Sequence, residues 1–335
     1  MAQSGGTKMG VWKRVRNIKR YYVDSAWEVI AGAYADSNVT RNLIEFDNKL
    51  YAGENPNGRL LEWSGGDEWT VVADMLSSQI QTRIIEFDSK IYAGTSHGGM
   101  LFEWNSTGEE WLKVADTLSS QDNIRSLAVH DGALYGGTDP DGMLFKWDIG
   151  STTWVMVADS FSTIAGEKWI YSLIEYDGVL YGGTLGPESD TKAMLLSSTG
   201  GAWTILAVAD DPTQDSFWGS SLAQYNGKIY MGTYDRGNLL EHTIGSTTLT
   251  RKAGALYEGR LSIEELIVFD GNLYGGTGHS DINGGKLFKW NDVDTWVQVA
   301  DQVNGNKYIT GIVDLNGVLY ASASLKAQLL KFVDR

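Results

Sequence analysis

Residues Leu134–Ala158 read LYGGTDPDGMLFKWDIGSTTWVMVA. The stretch contains a Leu-Tyr pair, Gly-Gly-Thr, a small-residue turn, an apolar LFKW segment, a polar turn, then Trp154 and Val157-Ala158. Upstream, SLAVH (126–130) ends at Asp131-Gly132, a hairpin signal because both central residues of a type I′ turn need positive φ. The whole unit recurs. Aligned on the tyrosine before the glycines, seven copies fall at Tyr51, Tyr92, Tyr135, Tyr181, Tyr230, Tyr274 and Tyr320, at intervals of 41, 43, 46, 49, 44 and 46 residues.

Repeats of about 40–50 residues with four strand-like segments each predict a β-propeller. The expected fold is therefore all-β, with seven four-stranded antiparallel blades. The first segments NLIEF, RIIEF, SLAVH, SLIEY, SLAQY, ELIVF and GIVDL are mostly apolar, as for strands covered on both faces. Asp177-Gly178, Asn226-Gly227, Asp270-Gly271 and Asn316-Gly317 repeat the turn signal, and Asp47-Asn48 and Asp88-Ser89 replace it in copies one and two. Trp63, Trp104, Trp147 and Trp290 on third strands, and Trp69, Trp111, Trp154, Trp203 and Trp296 at the start of fourth strands, are expected to wedge between blades. Copies four and five carry Ser198, His242 and Leu249 at tryptophan positions, so these blades should be the least regular. The segment AWEVIA (26–31) looks like a fourth strand but precedes the first complete repeat, whereas the seventh copy stops after its third strand at LLKFVDR. Trp27–Ala31 should close the last blade and leave no open edge. Two regions result: a basic arm, 1–24, and a propeller, 25–335.

Net charge is −15 over 335 residues, but residues 1–24 carry six Lys and Arg against Asp24, leaving about −20 on the body. A body so acidic argues against nucleic-acid partners, which are held through phosphate contacts. The absence of cysteine excludes disulfides and thiolate metal sites. No apolar run reaches the ~18–20 residues of a membrane span, and MAQSGGTKMGVWKRV lacks the apolar core of a secretory leader.

Loops joining fourth strands to the next first strands, together with loops joining second to third strands, should share one face, where a rigid scaffold gathers residues from every blade. Arg83, Arg125, Trp169, Tyr171, Phe217, Trp218, Tyr257 and Tyr308 fall there and are the candidate ligand-binding residues. Flat aromatic faces beside charged hydrogen-bonding groups suit sugar rings or a protein surface. Their alternative role is to cap the inter-blade core. Glu45, Glu86, Glu175 and Asp314 recur at one inner-strand position and are expected to form an acidic collar near the axis. No pair among them has the set separation and contrasting environments of a catalytic dyad, so no enzyme is expected. A channel-mouth hydrolase or lyase using Glu175 is the remaining catalytic alternative. Asp139-Pro140-Asp141-Gly142 is an incomplete calcium loop and reads as a turn. The four histidines form no zinc pattern. Neither cofactor nor metal is implied.

The glycine pair closing the second strand, followed by tryptophans, resembles the Kelch class of propeller over residues 26–333. Within VWKRVRNIKRYYVDSAWEVI, the residues Trp12, Lys13, Val15, Tyr22, Val23, Trp27 and Val29 are similar to short segments near the start of tailed-bacteriophage virion proteins. That resemblance implies a non-enzymatic virion protein, a tail or head fibre or decoration. Its arm residues Trp12, Lys13, Arg14, Arg16, Lys19, Arg20 and Tyr22 would bind other virion proteins, and its loop face a host-surface glycan or receptor. A lectin free of any particle is the alternative.

Overall fold

The computed structural model describes residues 26–32, 39–74, 80–118, 121–159, 169–185, 193–209, 219–234, 236–254, 256, 261–279, 284–302, 305–324 and 327–333. Among them are 28 strands and no α-helix. The arm, residues 1–24, lies outside the described residues.

Each repeat forms an antiparallel meander in which the first strand pairs the second, the second the third and the third the fourth. In repeat three, Asn123–His130, Ala133–Asp139, Leu144–Trp147 and Val155–Ala158 follow one another this way. The hairpin between the first two takes the expected turn, with φ of 46° at Asp131 and 72° at Gly132. Asp47, Asn48, Asp88 and Ser89 adopt the same left-handed conformations without a glycine, at 48°, 59°, 48° and 58°.

Hydrogen bonding joins the strands into three four-stranded and two eight-stranded sheets. One eight-stranded sheet holds repeats two and three, linked by the pair Asn123 and Ser96. The other holds repeats four and five, whose fourth strands run parallel at Val208–Thr248 and Ala209–Leu249. The latter seam is where His242 and Leu249 replace two indoles, and with that bulk absent the outer strands meet. The remaining sheets are repeat one, repeat six, and repeat seven with Ala26–Ala31 as its fourth strand. Trp27 pairs Phe332 in that last sheet, Glu28 pairs Lys331 and Val29 pairs Leu330. The closing strand is thus where the sequence puts it.

Each first strand packs beside the first strands of its neighbours, and the seventh (Ile309–Leu315) returns to the first (Val39–Phe46). Thr40 Oγ1 and Thr310 Oγ1, 3.1 Å apart, mark that return. Aromatic contacts join adjacent repeats. Third-strand tryptophans meet the tyrosine of the preceding repeat: Trp104 on Tyr51 at 5.4 Å, Trp147 on Tyr92 at 5.4 Å and Trp290 on Tyr230 at 5.1 Å between ring centroids. Trp63 reaches Tyr320 at 5.5 Å across the chain ends, and Phe332 takes the tryptophan place against Tyr274 at 6.3 Å. Fourth-strand indoles reach preceding sheets too, Trp69 Nε1 donating to Ala327 O and Trp111 Nε1 to Gly58 O. The second glycine of the repeat allows this close packing. A Cβ on Gly137 would lie 2.5 Å from Ile170 Cγ2 of the next first strand.

A recurrent polar bracket lies on the outer side of the same strands. Tyr51 Oη donates to Glu62 Oε2 at 2.7 Å and Lys49 Nζ to Glu62 Oε1 at 2.9 Å. Lys90, Tyr92 and Glu103 repeat the bracket in copy two, and Lys228, Tyr230 and Glu241 in copy five. Copies without the strand-two lysine carry Lys146, Lys289 or Lys331, or Ser197, at the glutamate place.

The acidic collar is corrected. Glu45, Glu86, Glu175 and Asp314 are exposed at the hairpin ends of their strands. Glu45 accepts from Asn48 N, Glu175 from Gly178 N and Asp314 from Gly317 N, at 2.7–2.8 Å. A carboxylate three residues before the last turn residue reaches that residue's free N–H, so these three cap hairpins.

Candidate ligand site at the inner-strand mouth

Pairing between first and second strands skips a residue at the same place in all seven repeats. Thr82, Arg125, Tyr171, Ser220, Glu264 and Thr310 fall out of the ladder, as do Arg41 and Asn42 together in repeat one. Such a β-bulge bends the strand and re-aims side chains that would otherwise alternate between the two sheet faces. Two tiers of inward-facing residues result.

The inner tier draws on Asn42, Arg83, Ser126, Ser172, Ser221, Glu265 and Gly311, one from each repeat, around a recess of ≈ 170 Å³. Several of its groups tie neighbouring first strands together. Asn42 Nδ2 donates to Ile84 O at 2.7 Å while its Oδ1 accepts from Ile84 N at 3.0 Å, and Ser126 Oγ donates to Ile170 O at 2.9 Å.

The outer tier is charged. Arg41, Arg83, Arg125, Tyr171, Glu264 and Thr310 surround one depression. Arg83 is held by backbone, donating from Nη1 to Arg41 O at 3.0 Å and from Nε to Arg125 O at 3.4 Å. Arg125 Nε donates to Asp139, which also accepts from Asn123 Nδ2 at 2.5 Å. The Arg41 side chain stands at the rim with no hydrogen-bond or ion-pair partner among the described residues; its surface is accessible, yet desolvation among its neighbours, with Arg83 and Arg125 adding and Tyr171 and Glu264 opposing, lowers its pKa. Beside this depression is a recess of ≈ 220 Å³ lined by Arg125, Trp169, Tyr171, Leu185 and Tyr234. The Arg125 guanidinium lies 5.3 Å from the Trp169 ring centroid, within cation–π range.

Burial pushes Glu264 up to about 7, against the Ser262 hydroxyl and the charges of Arg83 and Arg41. Burial likewise pushes Glu265 up to about 7, with Arg83 opposing and Glu264 adding to the rise. Ser262 Oγ touches both Glu264 Oε1 and Gly278 O. One hydroxyl proton cannot serve two acceptors, and a protonated Glu264 donating back to Ser262 satisfies both. Burial also raises the Tyr171 phenol, aided by Glu264 and opposed by the three arginines, so Tyr171 acts here as a neutral donor. Tyr234 is raised too, first by burial and then by Glu264 and Tyr308, and hydrogen bonds Tyr308.

Of the residues expected at the site, Arg83, Arg125, Trp169 and Tyr171 come together, and Tyr308 joins them through Tyr234. Phe217, Trp218 and Tyr257, and the arm residues Trp12, Lys13, Arg14, Arg16, Lys19, Arg20 and Tyr22, lie outside the described residues. Sequence reading missed Arg41, Tyr234, Glu264 and Glu265. Asp139 and Asp141 of the calcium-like turn are engaged by Arg125 and Asn123, and by Gln121 Nε2 at 2.9 Å. Among the described residues no group of three or more His, Asp or Glu could hold a metal. No helix among them is long and apolar enough to cross a membrane.

No protein-family model matches the chain, and no curated protein matches it by sequence. Solved structures do match. The extracellular domain of BT4673 from B. thetaiotaomicron superposes with a TM-score of 0.68 at 17% identity, over 91% of this chain and 39% of that one. This chain therefore spans about two fifths of that neighbour's length. The WD40 β-propeller domain of Doa1 superposes at 0.61 with 15% identity over 93% and 98% of the two chains. A chain of the mitotic checkpoint complex gives 0.65 at 12% identity over 100% and 99%. Together with 28 strands in curled sheets, these likenesses establish a fold of the β-propeller type.

Proposed function

We propose that the chain is a seven-bladed, Kelch-like β-propeller that works as a non-enzymatic binding module. Its ligand site is the inner-strand mouth, and residues 1–24 attach it to a larger assembly, a phage particle in the reading the arm supports. One observation carries the ligand site: Arg41, Arg83 and Arg125 from three consecutive repeats converge beside Trp169, Tyr171 and Tyr234. Guanidiniums offer planar forks of donors, and aromatic faces stack on sugar rings. This combination fits a glycan of a host surface. Propellers are also found in protein assemblies, as the checkpoint-complex neighbour illustrates, which supports protein partners for the same scaffold.

A glycan array probed with the full chain tests the ligand. Binding that Trp169→Ala weakens by about tenfold, the value of one aromatic stacking contact, supports the site; binding indifferent to that change removes it. Deletion of residues 1–24 should leave a folded propeller that no longer joins the particles of its source. Incorporation at the level of the intact chain would refute the arm's role.

A further inference from the structure

We infer that the mouth selects acidic sugars, a pyranose ring carrying a carboxylate or sulfate, with the anion against Arg41 and Arg125 and the ring in the recess of Trp169, Tyr171 and Tyr234. The inference rests on the glycan reading above and names its ligand class.

Arg41 is the one cation of the outer tier whose guanidinium has neither an ion-pair nor a hydrogen-bond partner among the described residues, and it is accessible at the rim although partly desolvated by its neighbours. Arg125 borders both the charged depression and the aromatic recess. A ligand touching it from the recess therefore adjoins the depression lined by Arg41 and Arg83. Only one of Arg125's nitrogens is committed to Asp139, since the recorded bond is through Nε, leaving the terminal nitrogens to grip an oxyanion. The recess is too aromatic to suit a free inorganic anion alone, and the depression too cationic to suit a neutral sugar. Their junction suits one ring carrying one negative group.

The charges that face this seat are Arg41, Arg83 and Arg125, with Asp139 beside Arg125 and Glu264 and Glu265 from repeat six; Tyr171, Tyr234 and Tyr308 complete its titratable groups. The two glutamates compete with a bound anion for the arginines. An acidic ligand should therefore bind more tightly as they take up protons. Coupling to one proton bounds the gain at about tenfold per pH unit, and between pH 8 and pH 6 a gain of about fivefold to tenfold is expected.

The test is calorimetric titration of the full chain with methyl glucuronide, N-acetylneuraminic acid and glucose 6-sulfate, and with methyl glucoside as the neutral arm. The acidic sugars should bind at least about tenfold more tightly than the glucoside, one charge-assisted hydrogen bond being worth about that much. The carboxylate and sulfate arms identify which anion is preferred. Arg41→Ala should erase the preference, and Glu264→Gln should strengthen acidic-sugar binding at pH 8 and not at pH 5.5. Should Arg41→Ala fail to fold, the Glu264→Gln comparison carries the test. Equal binding of glucoside and glucuronide overturns acidic selectivity but leaves the glycan site standing. Binding of acidic sugars that neither substitution alters overturns the seat. Failure of every sugar here and on the array removes the glycan reading itself.

Discussion

The glutamate pair of repeat six gives the molecule a stability that declines as pH rises from about 4 toward neutrality. Glu264 and Glu265 each titrate near 7 in the folded chain, against about 4.3 in an unfolded one. Between those values the native state holds more protons than the unfolded state, so unfolding free energy falls with increasing pH. The protonated form's advantage is fully present below about pH 4 and lost once pH passes about 7. At 1.36 kcal/mol per unit, a shift of about 2.5 units corresponds to roughly 3 kcal/mol for one group. Partial solvation of the recess and coupling between neighbours reduce this to about 2–4 kcal/mol for the pair. Urea unfolding at pH 4 and pH 8 measures it. Carboxylates elsewhere contribute to both curves, so the informative quantity is the difference between variants. Glu265→Gln removes one charge that deprotonation would bury, and should raise stability relative to the parent by about 1–2 kcal/mol at pH 8, by less at pH 5.5, and hardly at all near pH 4. Glu264→Gln should gain less, because the amide still serves Ser262 but loses the attraction of Arg41 and Arg83. Parallel pH profiles for the parent and both variants would refute the reasoning.

Trp27→Ala should cost about 3–5 kcal/mol by thermal or urea unfolding, because its indole is buried against Phe332 at 5.8 Å in the strand that closes the last sheet; a loss below 1 kcal/mol would mean that the closing strand carries little of the stability. Gly137→Ala should lower stability by about 1–3 kcal/mol, since the new methyl meets Ile170 and Ser126 within 2.6 Å and the sheets must part to admit it. Ser89→Gly should raise stability by about 1 kcal/mol, because Ser89 is exposed and holds φ at 58°, a conformation in which glycine is unstrained; no change in melting temperature would contradict that.

The repeat was legible because each device that builds a sheet recurs at one position: the turn before the tyrosine, the glycine where sheets touch, the indole that meets the preceding tyrosine. The closing strand was legible for the same reason, as Trp27–Ala31 is a fourth strand standing without its own third. The site was half legible. Arg83, Arg125, Trp169 and Tyr171 could be found because they begin strands where loops converge. Arg41 and Glu264 share the bulge position with Arg125 and Tyr171, but that position holds Arg, Thr, Arg, Tyr, Ser, Glu and Thr in successive repeats, so no repeat signal carried the reading from one copy to the others. The acidic collar failed for a different reason. Recurrence at one inner-strand position suggested an axial collar of Glu45, Glu86, Glu175 and Asp314, but Glu45, Glu175 and Asp314 each lie within reach of a hairpin N–H. The spacing was visible as an acid three residues before the second turn residue, in Glu45-Phe46-Asp47-Asn48 and Glu175-Tyr176-Asp177-Gly178.

The bulge also explains how near-equivalent repeats produce a site with direction. Residues deeper in the ladder must satisfy the packing of neighbouring sheets, which holds them to one chemical type. The bulged residue and the one after it lie at the mouth, where a side chain can vary without disturbing the sheets. Here the variation is ordered around the circuit. Arginines come from repeats one to three, the aromatic wall from repeats four and five, and the glutamates from repeat six. A mouth charged evenly would attract an anion without orienting it. With cations on one side, rings beside them and carboxylates following, a ligand with one negative group and one flat face can settle in a single orientation.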